Sequence, residues 1–135
     1  MTGLRAGQDE LEALLALTEG IADLGTRLAR ISAHLVGRPY RVEPLVGSPE
    51  EDEQLVSRLD GFDCVTFVES VIALAGCRDA GDYEPRLRAL RYRDGQVKWS
   101  ERNHYMSLWL ERNAATGAVG RVLQERWFTE ETART

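Results

Sequence analysis

The chain has few of the residues that build metal clusters or disulfide frameworks: its 135 residues include only two cysteines and two histidines. Cys64 and Cys77 lie 13 positions apart with no second pair, so both are expected to be free thiols. A zinc site made from these cysteines with His34 and His104 would lack any closely spaced pair of ligands. We therefore predict that the protein uses no metal and no cofactor.

Charge and hydropathy exclude two further classes of protein. The net charge of −5 argues against a nucleic-acid partner, because phosphate contacts need an excess of Lys and Arg on one face. No apolar run approaches the roughly 20 residues of a transmembrane helix, so no membrane span is expected. The first ten residues lack the apolar core of a secretory signal. As written the chain is predicted to be cytoplasmic, or periplasmic or extracellular if an export signal was removed, and its oligomeric state stays undetermined.

Length and an apolar content of 43% favour one domain over residues 1–135. Within it, residues 1–36 form a helical N-terminal region, because apolar residues recur there at steps of three, four and seven. A break near Gly20 would divide this region into two helices, since glycine weakens a helix interior. Residues 129–135 are expected to be a polar tail.

Shorter signals predict the remaining elements. Ser48 is a candidate N-cap for a short helix whose first turn is the solvated acidic run 50–53. Residues 91–99 are typical of two strands around an Asp-Gly turn. Helices are predicted at 83–90 and 118–128, whereas 105–110 fits a strand or a helix equally well.

The most informative segment is residues 61–70, GFDCVTFVES. Asp63 is a good N-cap, which predicts a largely buried helix from Cys64 to about Ala75. A helix N-terminus and a nearby imidazole both stabilise a thiolate, and His104 lies 40 residues further along the chain. Cys64 is therefore a candidate nucleophile with His104 as its base, although a lone cysteine is more often a small buried apolar residue. Cys77 is expected to be structural.

Three motifs in order carry a family resemblance: residues 37–45 (GRPYRVEPL), 62–69 (FDCVTFVE) and 91–109, which contains RNHY at 102–105. Together they resemble the NlpC-type, papain-like cysteine peptidases of cell-wall metabolism. More narrowly, they are similar to the branch of N-acetylmuramoyl-L-alanine amidase-like proteins. The resemblance covers about residues 37–113.

The resemblance implies an α+β fold of papain-like type, with N-terminal helices and a nucleophile helix packed on a small antiparallel sheet. By the same resemblance Cys64 is the nucleophile, His104 the general base, and Tyr40 a substrate-binding residue near the thiol. Papain-like enzymes orient the histidine with a third polar residue, for which Asn113 is the candidate. Trp109, close to His104 in the chain, is expected to line the substrate cleft.

The function that follows is a cysteine-dependent amidase or peptidase, which cleaves an amide bond in peptidoglycan-derived muropeptides through an acyl-enzyme. Two alternatives stay open. The same cysteine and histidine could serve an acyl or peptidyl transferase or a small-molecule tailoring enzyme. The chain has only 31 residues beyond His104, fewer than is usual in this family, so a short or truncated member and a non-catalytic binding domain also remain open.

Overall fold

A computed structural model of the protein describes residues 3–120, which fall into two compact units, Met1–Arg102 and Asn103–Thr135. The first unit contains four helices and the described part of the second contains one. In chain order these are α1 Gln8–Ala16, α2 Leu24–Leu35, α3 Cys64–Ala75, α4 Tyr83–Arg91 and α5 Met106–Ala115. Single turns of 3-10 helix occupy Ala80–Asp82, Arg93–Gly95 and Trp99–Glu101. None of the helices in residues 3–120 combines the length and apolar character that crossing a bilayer requires.

The N-terminal region consists of two helices, because the chain turns between α1 and α2. Gly20 has a φ of 77°, a left-handed conformation that favours glycine. Asp23 then begins α2 as its N-cap, with its side chain accepting a hydrogen bond from the backbone N–H of Thr26 at 2.9 Å. The predicted break near Gly20 is confirmed.

The prediction of an α+β fold is wrong for residues 3–120, which are all-helical and contain no β-strand. Three isolated bridges are the nearest approach to a sheet: Tyr40 with Phe62 in parallel, and Val46 with Gln54 and Tyr92 with Arg102 in antiparallel orientation. A sheet needs consecutive pairs in register, and each of these contacts stops after a single pair.

The Asp-Gly segment shows why the predicted hairpin does not form. Asp94 and Gly95 do have positive φ angles, 55° and 67°, as a tight hairpin turn requires. The flanking residues, however, coil into the 3-10 turns at Arg93–Gly95 and Trp99–Glu101 instead of extending. The turn chemistry is therefore correct, but the two strands are missing.

The predicted helix after Ser48 is also absent. Ser48 Oγ accepts hydrogen bonds from the backbone N–H groups of Glu50 and Glu51, as an N-cap would. The backbone N–H of Ser48 in turn donates to the carbonyl of Glu51 at 3.0 Å, which closes a loop where a helix would have to continue.

The acidic run 50–53 is not uniformly solvated, since the Glu53 side chain is only 1% exposed. Its Oε2 accepts a hydrogen bond from the Tyr92 hydroxyl at 2.6 Å and lies 3.2 Å from Arg102 Nη1. These two partners replace water around Oε2, whereas Oε1 is buried without a hydrogen-bond partner in the described residues.

The later helices agree more closely with the predictions from sequence. The predicted helix at 83–90 is confirmed by α4, and the ambiguous segment 105–110 is helical from Met106 onward, within α5. The predicted closing helix at 118–128 lies outside the described residues from position 121 onward, and so does the polar tail at 129–135.

The core of the first unit forms where α3 packs against α2 and α4. Its best-buried members are apolar side chains that each helix contributes at helical spacing. They include Leu14 from α1, Ile31 and Leu35 from α2, Leu74 from α3 and Leu87 from α4. Full burial of one such side chain contributes about 1.5–3 kcal/mol, so the helices are held mainly by this shared apolar centre.

One ion pair lies inside this core. Arg91 Nε on α4 donates to Glu69 Oε1 on α3 at 3.0 Å, and the two side chains are 3% and 2% exposed. Arg91 Nη1 also donates to the carbonyl of Val56 at 2.6 Å. The pair therefore joins α3 and α4 to the segment that leads into Cys64.

Removal of the α3 cap should destabilise the protein. Asp63 Oδ1 accepts from the Thr66 N–H at 2.8 Å, and the Asp63 N–H donates to Thr66 Oγ1 at 3.0 Å, which is a reciprocal capping box. Asp63→Ala is expected to lower the free energy of unfolding by about 1–2 kcal/mol, whereas Asp63→Asn should retain most of it. Urea unfolding followed by circular dichroism measures both, and equal losses in the two variants would contradict the capping role.

Stability should fall at alkaline pH because Tyr83 is fully buried. Burial raises the pKa of its hydroxyl far above the ordinary value near 10. Above pH 10 the unfolded chain loses this proton while the folded protein keeps it, so the free energy of unfolding decreases as pH rises. Each such group contributes a slope of about −1.4 kcal/mol per pH unit.

Tyr83→Phe should remove that share of the slope between about pH 10 and 12. Tyr105→Phe, at a position 74% exposed, is the control and should leave the slope unchanged. Urea unfolding at a series of pH values measures the slope of the free energy of unfolding against pH. Identical slopes in wild type and Tyr83→Phe would disprove the contribution of Tyr83.

Candidate active site

Cys64 is the first residue of α3, and its thiol is exposed to solvent. The carboxylate of the preceding Asp63 is engaged by the backbone N–H and the hydroxyl of Thr66, at 2.8 and 2.9 Å. Within residues 3–120, the backbone N–H of Cys64 makes no hydrogen bond. The thiol and an available N–H donor therefore lie together at the positive end of a helix, an arrangement that favours negative charge.

Tyr40 lies beside the segment that enters α3. The backbone N–H of Arg41 donates to the carbonyl of Phe62 at 2.9 Å, and the N–H of Phe62 donates to the carbonyl of Pro39 at 3.1 Å. Gly61 allows this close approach, since a Cβ there would lie 2.9 Å from the Pro39 carbonyl oxygen. The Tyr40 side chain is 71% exposed. The structure thus brings Tyr40 and Cys64 into one region of the surface, although they are 24 residues apart in the chain.

The second cysteine has a different environment. Cys77 follows the C-terminal end of α3, is buried, and its Sγ donates to the carbonyl of Ala73 at 3.1 Å. Burial raises the pKa of this thiol to about 11. Cys77 is therefore protonated at neutral pH and unsuited to nucleophilic chemistry.

His104, Trp109 and Asn113 belong to the second unit. His104 is exposed and lies two residues before α5, while Trp109 and Asn113 are buried one turn apart within that helix. The Asn113 side chain donates from Nδ2 to the carbonyl of Trp109 at 3.0 Å. The roles of these three residues, and the pairing of His104 with Cys64, stay predictions.

Two contacts near the candidate residues were missed by sequence reasoning. Arg112 Nη1 donates to Asn103 Oδ1 at 2.7 Å, which holds the residue before His104 against α5. Arg41 Nη2 contacts Asp60 Oδ2 at 3.1 Å, three residues before Asp63. Local sequence patterns signal neither contact, since the partners are nine and 19 positions apart in the chain.

A cleft of about 800 Å³ opens at the other end of α3. It is lined by Cys77 and by residues of α1, α2 and the intervening turn, among them Glu12, Gly20 and Arg27. A helix of 12 residues is about 18 Å long, so this cleft is remote from Cys64. Among residues 3–120, no group of three or more His, Cys, Asp and Glu side chains is arranged to hold a metal ion.

Comparison with known proteins identifies what this arrangement is similar to. The family model of N-acetylmuramoyl-L-alanine amidase-like (AmiA-like) proteins matches residues 30–130. A solved N-acetylmuramoyl-L-alanine amidase from Bacteroides uniformis is 26% identical, with a TM-score of 0.62 over 69% of this chain and 40% of its own. A Legionella pneumophila protein of family DUF1460 is 28% identical, with a TM-score of 0.71 over 82% of this chain and 38% of its own.

A Bacteroides fragilis protein named as a xylanase is 33% identical, with a TM-score of 0.58 over 64% of this chain and 39% of its own. No curated protein sequence matches the chain. The chain spans about two fifths of the length of these solved structures. The matched family region covers more than half of the chain and includes Tyr40, Cys64 and His104. The resemblance seen in the three sequence motifs is therefore confirmed, and the chain belongs to the N-acetylmuramoyl-L-alanine amidase-like family.

Proposed function

We propose that the protein is a cysteine-dependent amidase that cleaves the amide bond between the lactyl group of muramic acid and L-alanine in peptidoglycan-derived muropeptides. The observation that carries this proposal is the placement of Cys64, an exposed thiol at the first residue of a capped helix. Family membership supports the choice of bond, since the family is described by that amide.

In the proposed reaction the Cys64 thiolate attacks the carbonyl carbon of the lactyl amide, and a C–S bond forms. The backbone N–H of Cys64 donates to the oxyanion of the tetrahedral intermediate. The C–N bond then breaks, and the imidazolium of His104 gives its proton to the leaving amine of L-alanine. Water attacks the thioester while His104 accepts the proton, which releases the carboxylic acid and restores the thiol.

The other predicted site residues take supporting roles in this proposal. Tyr40, with its exposed hydroxyl beside the entry to α3, hydrogen-bonds the substrate. Asn113 is the third polar residue that orients His104, and Trp109 forms a wall of the cleft. Both lie on α5, which begins two residues after His104.

The likeness to a protein named as a xylanase does not favour glycoside hydrolysis for this chain. Such hydrolysis typically uses two carboxyl groups that flank the scissile bond. The two buried carboxylates described above are both held by arginines: Glu53 lies 3.2 Å from Arg102 and Glu69 lies 3.0 Å from Arg91. The family model and the Bacteroides uniformis structure point instead to amide chemistry.

Turnover should require both proposed catalytic residues. Cys64→Ala and His104→Ala are each expected to lower kcat/KM on an N-acetylmuramoyl-L-alanyl peptide by about 10³-fold or more, because the nucleophile or its proton carrier is lost. Cys77→Ser and His34→Ala are the matched controls and should retain activity. Mass spectrometry of the products, with a candidate amine acceptor present, also separates hydrolysis from acyl transfer. Full activity in Cys64→Ala would end the proposal.

The two thiols should differ sharply in reactivity. With a pKa of about 11, Cys77 is expected to be roughly 0.1% thiolate at pH 8, and burial blocks reagent as well. In native protein at pH 8, iodoacetamide should therefore modify Cys64 rapidly and Cys77 slowly, with the Cys77 rate rising about tenfold per pH unit toward pH 11. Peptide mapping by mass spectrometry measures both rates, and urea should make them similar. Rapid native modification of Cys77 would contradict its structural role.

A further inference from the structure

We propose that Arg41 is a specificity-determining residue that binds a carboxylate of the substrate beside the bond attacked by Cys64. This inference rests on the proposed function, since it names the chemical class of substrate for the same site. The ligand is a peptide that carries a carboxylate close to the scissile amide.

The position of Arg41 is set by main-chain contacts and by a glycine. Its backbone N–H donates to the carbonyl of Phe62 at 2.9 Å, which anchors it beside the residues that enter α3. A Cβ on Gly61 would lie 2.8 Å from Arg41 Nε and 2.9 Å from Arg41 Cγ. The arginine side chain therefore crosses the backbone at Gly61, three residues before Cys64.

Arg41 shares its carboxylate partner with a second arginine. Asp60 Oδ2 lies 3.1 Å from Arg41 Nη2, and Asp60 Oδ1 lies 3.8 Å from Arg58 Nε. Arg58 Nε is buried without a hydrogen-bond partner in the described residues. One carboxylate thus faces two guanidinium groups, so a second carboxylate can approach with net attraction.

The guanidinium of Arg41 has more hydrogen-bond donors than its described partner uses. It carries five N–H donors in a fixed fork, and its described side-chain partner is a single oxygen of Asp60. The side chain is 36% exposed, on the same surface segment as the 71% exposed Tyr40. A planar fork of this kind pairs with a carboxylate through two parallel hydrogen bonds.

The Arg41–Asp60 contact alone does not explain this placement. An exposed ion pair contributes only about 0–1 kcal/mol, and the backbone hydrogen bonds at Pro39 and Arg41 already hold the segment to Phe62. In the proposal, Asp60 orients the arginine, and the remaining donors of the guanidinium bind the substrate carboxylate.

Alkylation of Cys64, which does not depend on enzymatic turnover, tests whether the positive charge of Arg41 acts near the thiol. Iodoacetate and iodoacetamide alkylate the same thiol and differ only in a carboxylate against a carboxamide. In a Cys77→Ser background, the ratio of their rates at Cys64 is expected to fall about three- to five-fold in Arg41→Gln, because an attractive charge near the thiol is lost.

Arg41→Lys should keep most of that ratio, since the charge remains. Arg30→Gln, which removes an exposed arginine on α2, is the control for net charge and should leave the ratio unchanged. A ratio that is the same in wild type and Arg41→Gln overturns the proposal, whatever the enzyme does to muropeptides.

A matched pair of substrates tests the specificity. N-acetylmuramoyl-L-alanyl-D-glutamate and its D-isoglutamine counterpart differ by one carboxylate replaced by a carboxamide. Wild type is expected to prefer the glutamate form by about tenfold or more in kcat/KM, as a charge-assisted hydrogen bond provides, and Arg41→Gln should lose that preference. A preference that persists in Arg41→Gln overturns the role of Arg41 while the amidase function stands. If Arg41→Gln alters the alkylation ratio but the wild-type protein cleaves neither substrate, the anion-binding role of Arg41 stands and the proposed amidase function is overturned.

Discussion

The buried ion pair between Glu69 and Arg91 is the contact on which the site most depends. Removing two charges from water costs several kcal/mol per ion, and the cost is offset only when both partners stay in place with additional hydrogen bonds. Arg91 supplies one such bond to the carbonyl of Val56. The core of the first unit therefore holds α3, α4 and the segment before Cys64 as one piece. The nucleophile proposed at Cys64 would need this rigidity, because attack geometry tolerates little displacement.

Helix α3 carries a cysteine at its start and another just beyond its end, and the two differ in chemistry because their surroundings differ. Cys64 is exposed at the positive end of the helix, and its backbone N–H makes no hydrogen bond within residues 3–120. Cys77 is buried, its thiol donates a hydrogen bond to a backbone carbonyl, and it is protonated at neutral pH. Residue type alone cannot separate a nucleophile from a core residue. In the proposed function, solvent access and helix polarity make that distinction, and both favour the N-terminal end of α3.

The absence of strands in residues 3–120 follows from how sheets gain stability. An isolated two-stranded hairpin is marginal in water, and it needs a third strand or a packed helix to persist. Asp94 and Gly95 adopt the turn that their chemistry favours, yet in the described part of the chain a single pair, Tyr92 with Arg102, forms across it. The family pattern implied a sheet, whereas this chain spans about two fifths of the length of its solved relatives. A hairpin requires both a favourable turn and several paired residues in each strand, and the local sequence signal predicts only the turn.

The sequence by itself determined the features that depend on residues three or four positions apart. The start of α3 at Cys64 follows from Asp63 and Thr66, and the break before α2 follows from Gly20, because capping and backbone conformation are local. The tertiary structure decided the features that depend on residues 22 to 49 positions apart. Tyr92 and Arg102 meet Oε2 of the buried Glu53 side chain, and Tyr40 lies beside the segment that enters α3 because its backbone pairs with Phe62. Such contacts form only when distant segments meet, and no periodicity within one segment encodes the partner.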